Sequence, residues 1–207
     1  MTEQVKWQGW HFAGYKEKLR FGDGRKIVVG ETHKVECKPV LCESGLHASP
    51  TVYKALAYAP GPILFRVELS GIIVHGDNKS CATQRTYLAR ININSLLHEF
   101  GRKCALQVVH LWDCPRIVRE YLETGDEEKR SAARSAAESA ARSAAESAAE
   151  SAAWSAAWSA AESAERSAAW SAAWPAAWSA QETMLEQMVL DAIAKQVAVS
   201  DSGLSHD

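Results

Sequence analysis

Alternating apolar and polar residues predict a small sheet in the first part of the chain. The clearest case is Ile63–Leu69, where Ile63, Phe65, Val67 and Leu69 share one face. Shorter runs of β-branched, aromatic and apolar residues, most of them ended by glycine turns, predict further strands at Trp7–Phe12, Ile27–Val29, Val40–Cys42, Ile72–Val74 and Thr86–Ile93.

Apolar residues three and four positions apart predict helices between and after these strands. Ser49-Pro50 provides an N-cap and a first-turn proline for a short helix that ends before Pro60. Further helical periodicity covers residues 96–112, with an interruption near Gly101, and a last helix follows Asp113. The mixture indicates an α+β fold, with a small mixed α/β domain over residues 1–124 and a long Ala-rich helical tail.

The tail is built on a Ser-Ala-Ala-X repeat from Ser131 to Ser179. Alanine is the strongest helix former, so we predict a repeat helix over 125–180, with a capping box at Thr124–Glu127. A second amphipathic helix is expected over 181–199 and a disordered end over 200–207. Pro175 replaces a repeat serine and predicts a kink or break.

Five X positions of the repeat are tryptophan: Trp154, Trp158, Trp170, Trp174 and Trp178. Four residues advance about 400° around a helix, so the X row drifts by roughly 40° per repeat. The indoles therefore wind around an Ala rod and expose apolar area if the rod stays alone. We predict a homo-oligomer through this helix, by supercoiling, by packing on several neighbours or by folding back. A solvated single helix, produced by repeat expansion, is the alternative.

Charge divides the chain in the same place. Residues 1–124 carry a net charge of +5 and residues 125–207 a net charge of −7. A basic domain can attract a nucleotide, a phosphate ester or nucleic acid, although scattered surface charge is the simpler interpretation.

Cysteine usage and hydropathy indicate the compartment. Five scattered cysteines suggest reduced thiols, and neither an apolar run of membrane length nor a leader segment is evident. We expect a cytoplasmic protein without a membrane span.

Two clusters of residues have the composition of a binding site. Cys37, Cys42 and His47 have metal-like spacing, but no second pair completes a tetrahedral set, so no metal is predicted. Lys79 follows the Gly76 turn and is itself followed by Arg85 and Arg90; with His47, these residues are predicted to bind an anionic ligand. A basic hairpin rim without a ligand is the alternative.

Familiar phosphate-loop, dinucleotide, zinc-protease and nucleophile-elbow motifs do not occur, which favours a protein without catalysis or cofactor. One stretch supports a different hypothesis. Glu43–Ser49, the short helix and the strand Ile63–Leu69 resemble the core of ADP-ribosyltransferase-like folds. That resemblance implies NAD as substrate, with His11, Tyr58 and Glu68 as positioning and catalytic groups.

A wider resemblance rests on four motifs, followed by the Ala/Trp repeats: Leu41–Ser49, Gly76–Lys79, Cys104–Leu106 and His110–Asp113. Together they resemble a family of uncharacterised proteins encoded by phages, prophages and actinobacteria. The resemblance implies a bacterial host cytoplasm and an accessory role, including counter-defence, but no activity. We therefore expect the basic domain to recognise a host protein or an anionic nucleotide-like ligand, with nucleic acid left open, while the Trp-bearing helix self-associates.

Overall fold

The computed structural model describes residues 6–155 and 162–202, and it describes residues 144–155, 162–177 and 200–202 by their helical backbone only. It is a mixed α/β structure with a five-stranded antiparallel sheet and, within these residues, five helices. The strands are β1 (Trp7–Ala13), β2 (Thr32–Lys34), β3 (Leu46–Ala48), β4 (Ile63–His75) and β5 (Ser80–Asn92). The helices are α1 (Val52–Leu56), α2 (Asn94–Val108), α3 (Arg116–Thr124), α4 (Glu127–Ser155) and α5 (Glu162–Ser202), with a 3₁₀ turn at Val109–Leu111.

The long hairpin of β4 and β5 organises the sheet. These strands pair from Ile63↔Asn92 to His75↔Ser80, and β1 pairs with the free edge of β4. Both short strands, β2 and β3, pair with the other edge of β5. The strand order is therefore β1-β4-β5-β2, with β3 beside β2 along β5.

Two hydrogen bonds close this sheet into a ring. The amide of Trp10 in β1 donates to the carbonyl of Ser49 just after β3 (2.8 Å), and the Ser49 amide donates back (2.9 Å). Gly9 permits the contact, because a Cβ there would lie 2.7 Å from the Ser49 carbonyl oxygen. The chain thus joins both edges of the sheet without a further strand.

The inner face of the ring holds one apolar cluster. Its buried members are Ala13, Ile27, Ala48, Ile63, Phe65, Val67, Leu69, Ala82 and Tyr87. Phe65 and Tyr87 meet edge to face with centroids 5.5 Å apart, a favoured aromatic geometry. The alternation predicted for Ile63–Leu69 is confirmed, since its apolar face is this inner face.

The last part of α5 belongs to the same compact unit as the strands, which comprises Met1–Leu96 and Glu182–Asp207. Glu186 accepts hydrogen bonds from Trp10 Nε1 (2.6 Å) and from the Val52 amide at the start of α1 (2.8 Å). Leu185 and Val189, on the same side of α5, are fully buried. This helical segment is therefore part of the core of the first unit.

The second unit, Leu97–Gln181, contains α3 packed against α4. Gly125 links them with φ of 68°, a left-handed conformation that favours glycine. The predicted capping box at Thr124–Glu127 is wrong: the Asp126 carboxylate accepts from the Glu128 amide (3.0 Å) and caps α4 instead.

Four other local predictions are wrong. Helix α1 is capped by the Thr51 hydroxyl, which accepts from the Lys54 amide (3.2 Å), and not by Ser49. Residues 27–29 form no strand, because only Ile27 turns into the core while its neighbours stay exposed. Residues 40–42 form a turn closed by Val40↔Ser44, and the strand lies later, at β3. No interruption occurs at Gly101, since α2 continues through it.

The repeat is helical on both sides of residues 156–161. It occupies α4 up to Ser155 and α5 from Glu162, and α5 does not end at Pro175. Trp158 lies outside the described residues, as do the side chains of Trp154, Trp170 and Trp174, while Trp178 is partly exposed. In the parts of the chain that are described, no helix is long and apolar enough to cross a membrane.

Replacing Leu185 by alanine should destabilise the first unit as a core mutation does. We expect a loss of about 2–4 kcal/mol in the free energy of unfolding, measured by urea denaturation, because a buried side chain leaves a cavity. Leu190→Ala on the exposed side of the same helix is the control and should cost less than about 1 kcal/mol. Equal effects of the two variants would contradict the packing described.

Candidate functional site

A cleft of about 750 Å³ opens in the first unit, at the place where the ring closes. It is lined by five parts of the unit: β1 with the hairpin that follows it, Val35 just after β2, the turn and strand at residues 42–49, the end of α1 with residues 57–60, and the pair Lys79 and Arg85. The volume is within the range of small-molecule sites.

Arg85 of β5 lies at the inner side of this cleft and is only 2% exposed. Its Nη1 donates to the His47 carbonyl (2.5 Å) and to His11 Nδ1 (3.1 Å). Its Nε and Nη2 both donate to the Tyr87 hydroxyl, at 3.1 and 2.7 Å. All of these acceptors are neutral, and none of the ion pairs formed by described residues includes Arg85.

The hydrogen bonds around Tyr87 have a fixed direction. Its oxygen accepts from Arg85, so its proton is donated to His33 Nδ1 at 3.1 Å. Burial raises the pKa of the Tyr87 phenol, which keeps that proton in place. Burial also lowers the pKa of Arg85, because a charged guanidinium is disfavoured away from water.

His11 is held neutral. Because the Arg85 guanidinium has no acceptor, His11 Nδ1 must supply the lone pair, and the ring proton sits on Nε2. Burial, and then the positive charge of Arg85, lower the pKa of His11 well below its usual value.

His47 supports the wall of the cleft through its own turn. Its Nε2 accepts from the Cys42 amide (3.2 Å), and its Nδ1 donates to the Gly45 carbonyl (3.1 Å). Both ring nitrogens are thus engaged by backbone groups. Burial and then Lys79 lower the pKa of His47, so it also remains neutral near pH 7.

Positive charge predominates around the cleft. Three further cations line it, namely Lys18, Arg20 and Lys79, against two carboxylates, Asp23 and Glu43. Asp23 is neutralised by a two-point contact with Arg25, at 2.7 Å from both Nε and Nη2. A cleft with this balance attracts anions.

The structure brings together most of the residues that were predicted for two different functions. Lys79 and Arg85 line the cleft beside His11 and Tyr58, and the Lys79 ammonium lies 4.2 Å from the Tyr58 ring centroid. His47 lines the same cleft, as its wall.

Two predicted residues lie elsewhere. Arg90 pairs with Glu17 (2.6 Å). Glu68 pairs with Lys6 (2.9 Å) on the outer face of the sheet, because it is opposite Gln8 whereas His11 is opposite Phe65.

Sequence reasoning missed the hairpin from Lys18 to Lys26, whose first arm brings Lys18, Arg20 and Phe21 to the cleft. Basic residues just before the turn-forming run Gly22-Asp-Gly24 were the available signal. The buried tyrosine that holds Arg85 was also missed, because Tyr87 looked like an ordinary strand residue.

The metal-like cluster has a different structure from a zinc site. All five cysteines are free thiols, and His47 uses its nitrogens within its turn. Across the described residues, no group of three or more His, Cys, Asp or Glu side chains is arranged to hold a metal ion.

These features define a mixed α/β domain with a basic cleft. Residues 12–99 match the model of a domain of unknown function, DUF7666. Of the residues that line the cleft, only Trp10 and His11 fall outside that match. No curated protein and no solved structure matches the chain.

Acidification should destabilise the first unit. His11, His33 and His47 all have folded pKa values below the usual value, with burial as the main cause. Below pH of about 6.5 the unfolded chain therefore binds more protons than the folded chain. The free energy of unfolding consequently decreases as the pH is lowered.

We expect His11 alone to account for a loss of about 1 kcal/mol between pH 7.5 and 5.5, on the scale of linkage for one histidine. Urea denaturation at a series of pH values measures the combined effect of the three histidines. His33→Gln removes one of them, so the free energy of unfolding of this variant should depend less steeply on pH. A free energy of unfolding that is constant over this interval would contradict the assignment.

Proposed function

We propose that the protein binds an anionic small molecule of nucleotide size in the basic cleft, with its negative group held by Arg85. The observation that carries this proposal is a buried guanidinium whose hydrogen-bond acceptors are all neutral, while Asp23, the carboxylate that acts on it through space, is itself paired with Arg25. Removing a charge from water is costly unless a counter-charge is supplied, and a bound anion would supply it.

The arrangement of donors supports the same proposal. These hydrogen bonds use four of the five Arg85 N–H groups, which leaves one on Nη2 without a partner among the described residues. The phenol of Tyr87 and the carbonyl of His47 fix the plane of the guanidinium. The one N–H that remains is held in a fixed direction and can donate a single charge-assisted hydrogen bond to a phosphate or a carboxylate.

The alternative of an ADP-ribosyltransferase-like enzyme gains less from the geometry. His11 and Tyr58 line the cleft, as that hypothesis requires, but Glu68 is on the opposite face of the sheet. NAD still belongs among the anionic ligands to be tested.

The resemblance to phage-encoded proteins extends the proposal to a biological role. A cytoplasmic binding protein of this kind would act as an accessory factor, and sequestering a nucleotide signal would be a form of counter-defence. The second way to act as an accessory factor is to bind a host protein through the basic cleft.

Self-association through the Trp-bearing repeat is the second part of the proposal. It rests on the five tryptophans of the repeat and on the small side chains around them. The cleft lies in the first unit and the repeat in the second, so the two parts can be tested separately.

Substitution of Arg85 should weaken ligand binding. Isothermal titration of the full chain with inorganic phosphate, pyrophosphate, the nucleoside 5′-monophosphates and NAD provides the measurement. For the tightest of these probes we expect Arg85→Gln to raise Kd by at least about tenfold, because a charge-assisted hydrogen bond is lost. If none of the probes binds the wild-type chain, the proposal is wrong.

Arg90→Gln is the matched control, since Arg90 is on the same strand but pairs with Glu17 outside the cleft. Its Kd should equal that of the wild type. Should Arg85→Gln fail to fold, Lys79→Gln at the rim is expected to raise Kd by a few-fold, with a weaker dependence of binding on salt.

Replacing Trp154, Trp158, Trp170 and Trp174 by serine should dissociate the oligomer. Sedimentation equilibrium of the full chain measures this, and the wild type should be heavier than a monomer in a concentration-dependent manner. Truncation would be a poor test, because it removes Leu185 and Glu186 from the first unit. Trp112→Ser serves as the control, and a wild type that is monomeric at all concentrations would contradict the proposal.

A further inference from the structure

One aromatic side chain at the cleft is almost wholly exposed. Phe21 is 95% exposed and yet belongs to the residues that line the cleft. A single exposed apolar side chain is ordinary in itself, and what distinguishes Phe21 is its position at the cleft that also contains Arg85.

The hairpin that carries Phe21 is built to hold it there. The bridge Lys18↔Lys26 and the bond from the Leu19 amide to the Arg25 carbonyl (2.8 Å) form its base. Leu19 packs against the apolar cluster inside the ring, which anchors this base to the core. The tip that follows, residues 20–24, projects from a fixed support.

The backbone at the tip of the hairpin is strained at Phe21. Phe21 has φ of 59°, a left-handed conformation that is rare for a bulky residue. Such strain persists where the surroundings impose it, and it concentrates at binding sites. Arg20 lies with its guanidinium carbon 5.0 Å from the centroid of the Phe21 ring, so a cation also accompanies the ring.

The other exposed ring of the cleft is less suited to take an aromatic ligand. Tyr58 is about half buried, whereas Phe21 is almost wholly exposed, and each ring has one cation near it, Lys79 in the first case and Arg20 in the second. Phe21 therefore offers the larger open aromatic surface. The cleft thus has an anion site at Arg85 on its inner side and an aromatic platform at its rim.

From this combination we infer that the ligand is a nucleoside phosphate, whose base stacks on Phe21 and whose phosphate is bound by Arg85 and Lys79. The inference rests on the proposed function. That proposal places the anionic group of the ligand at Arg85, and the inference adds that the rest of the same ligand is a base at Phe21. Stacking on an aromatic side chain tolerates any base, because every base has a π-face. The platform at Phe21 therefore favours nucleoside phosphates over sugar phosphates and discriminates little among the four bases.

The test compares ligands that share the phosphate and differ in the base. Kd is measured on the full chain for the four nucleoside 5′-monophosphates, ribose 5-phosphate and inorganic phosphate. We expect the monophosphates to bind about tenfold more tightly than ribose 5-phosphate, and Phe21→Ala to remove that difference while the Kd for ribose 5-phosphate is unchanged. Phe21→Trp should retain it.

Tyr15→Ala, which removes another exposed aromatic ring that does not line the cleft, is the matched control and should behave as wild type. If ribose 5-phosphate and the monophosphates bind equally well, the base platform is refuted while the anion site at Arg85 stands. If Arg85→Gln has no effect on any of these ligands, the proposed function fails, and the inference fails with it.

Discussion

The position of one guanidinium inside a closed sheet connects the other features of this domain. Arg85 is enclosed by the ring, and its bonds reach three parts of the chain: Tyr87 on its own strand, His11 on β1 and the His47 carbonyl on β3. Because each acceptor is uncharged, the network fixes the geometry of the cation without neutralising it. The surrounding histidines are kept in their neutral forms by the same burial and the same charge.

A network of this kind is weak evidence for stability. Replacing buried ionic groups by apolar residues of similar volume often leaves a protein equally or more stable. The strands that carry the network supply the apolar cluster independently, through Phe65, Val67 and Leu69. The division between these stabilising residues and Arg85 is consistent with a scaffold that carries a binding site.

The elements with a strong repeating pattern were predictable from the sequence. The alternation of Ile63–Leu69 located the central strand, and the helical period located α3. Three-residue strands such as β2 and β3 have too few positions for a period to show. The docking of Glu186 on Trp10 joins residues from opposite ends of the chain, and no local signal reports such a contact.

The site was predictable only as a set of residue types. Arg85 and Arg90 are five positions apart, so simple alternation places them on opposite faces of a strand. An irregularity in the ladder, where Val67 pairs with Tyr87 and Arg66 with Ala89, places them on the same face instead. Only Arg85 reaches the cleft, since Glu17 holds Arg90. A bulge of this kind leaves no trace in the residue types.

The contribution of α5 to the first unit also bears on how the chain is made. A ribosome synthesises the strands first, and the segment that buries Leu185 and Val189 emerges only after the entire repeat region. During that interval the nascent sheet lacks the helix that covers Trp10. Completion of this domain is therefore delayed until the repeat region has been translated, so chaperones have a window in which to bind the uncovered face.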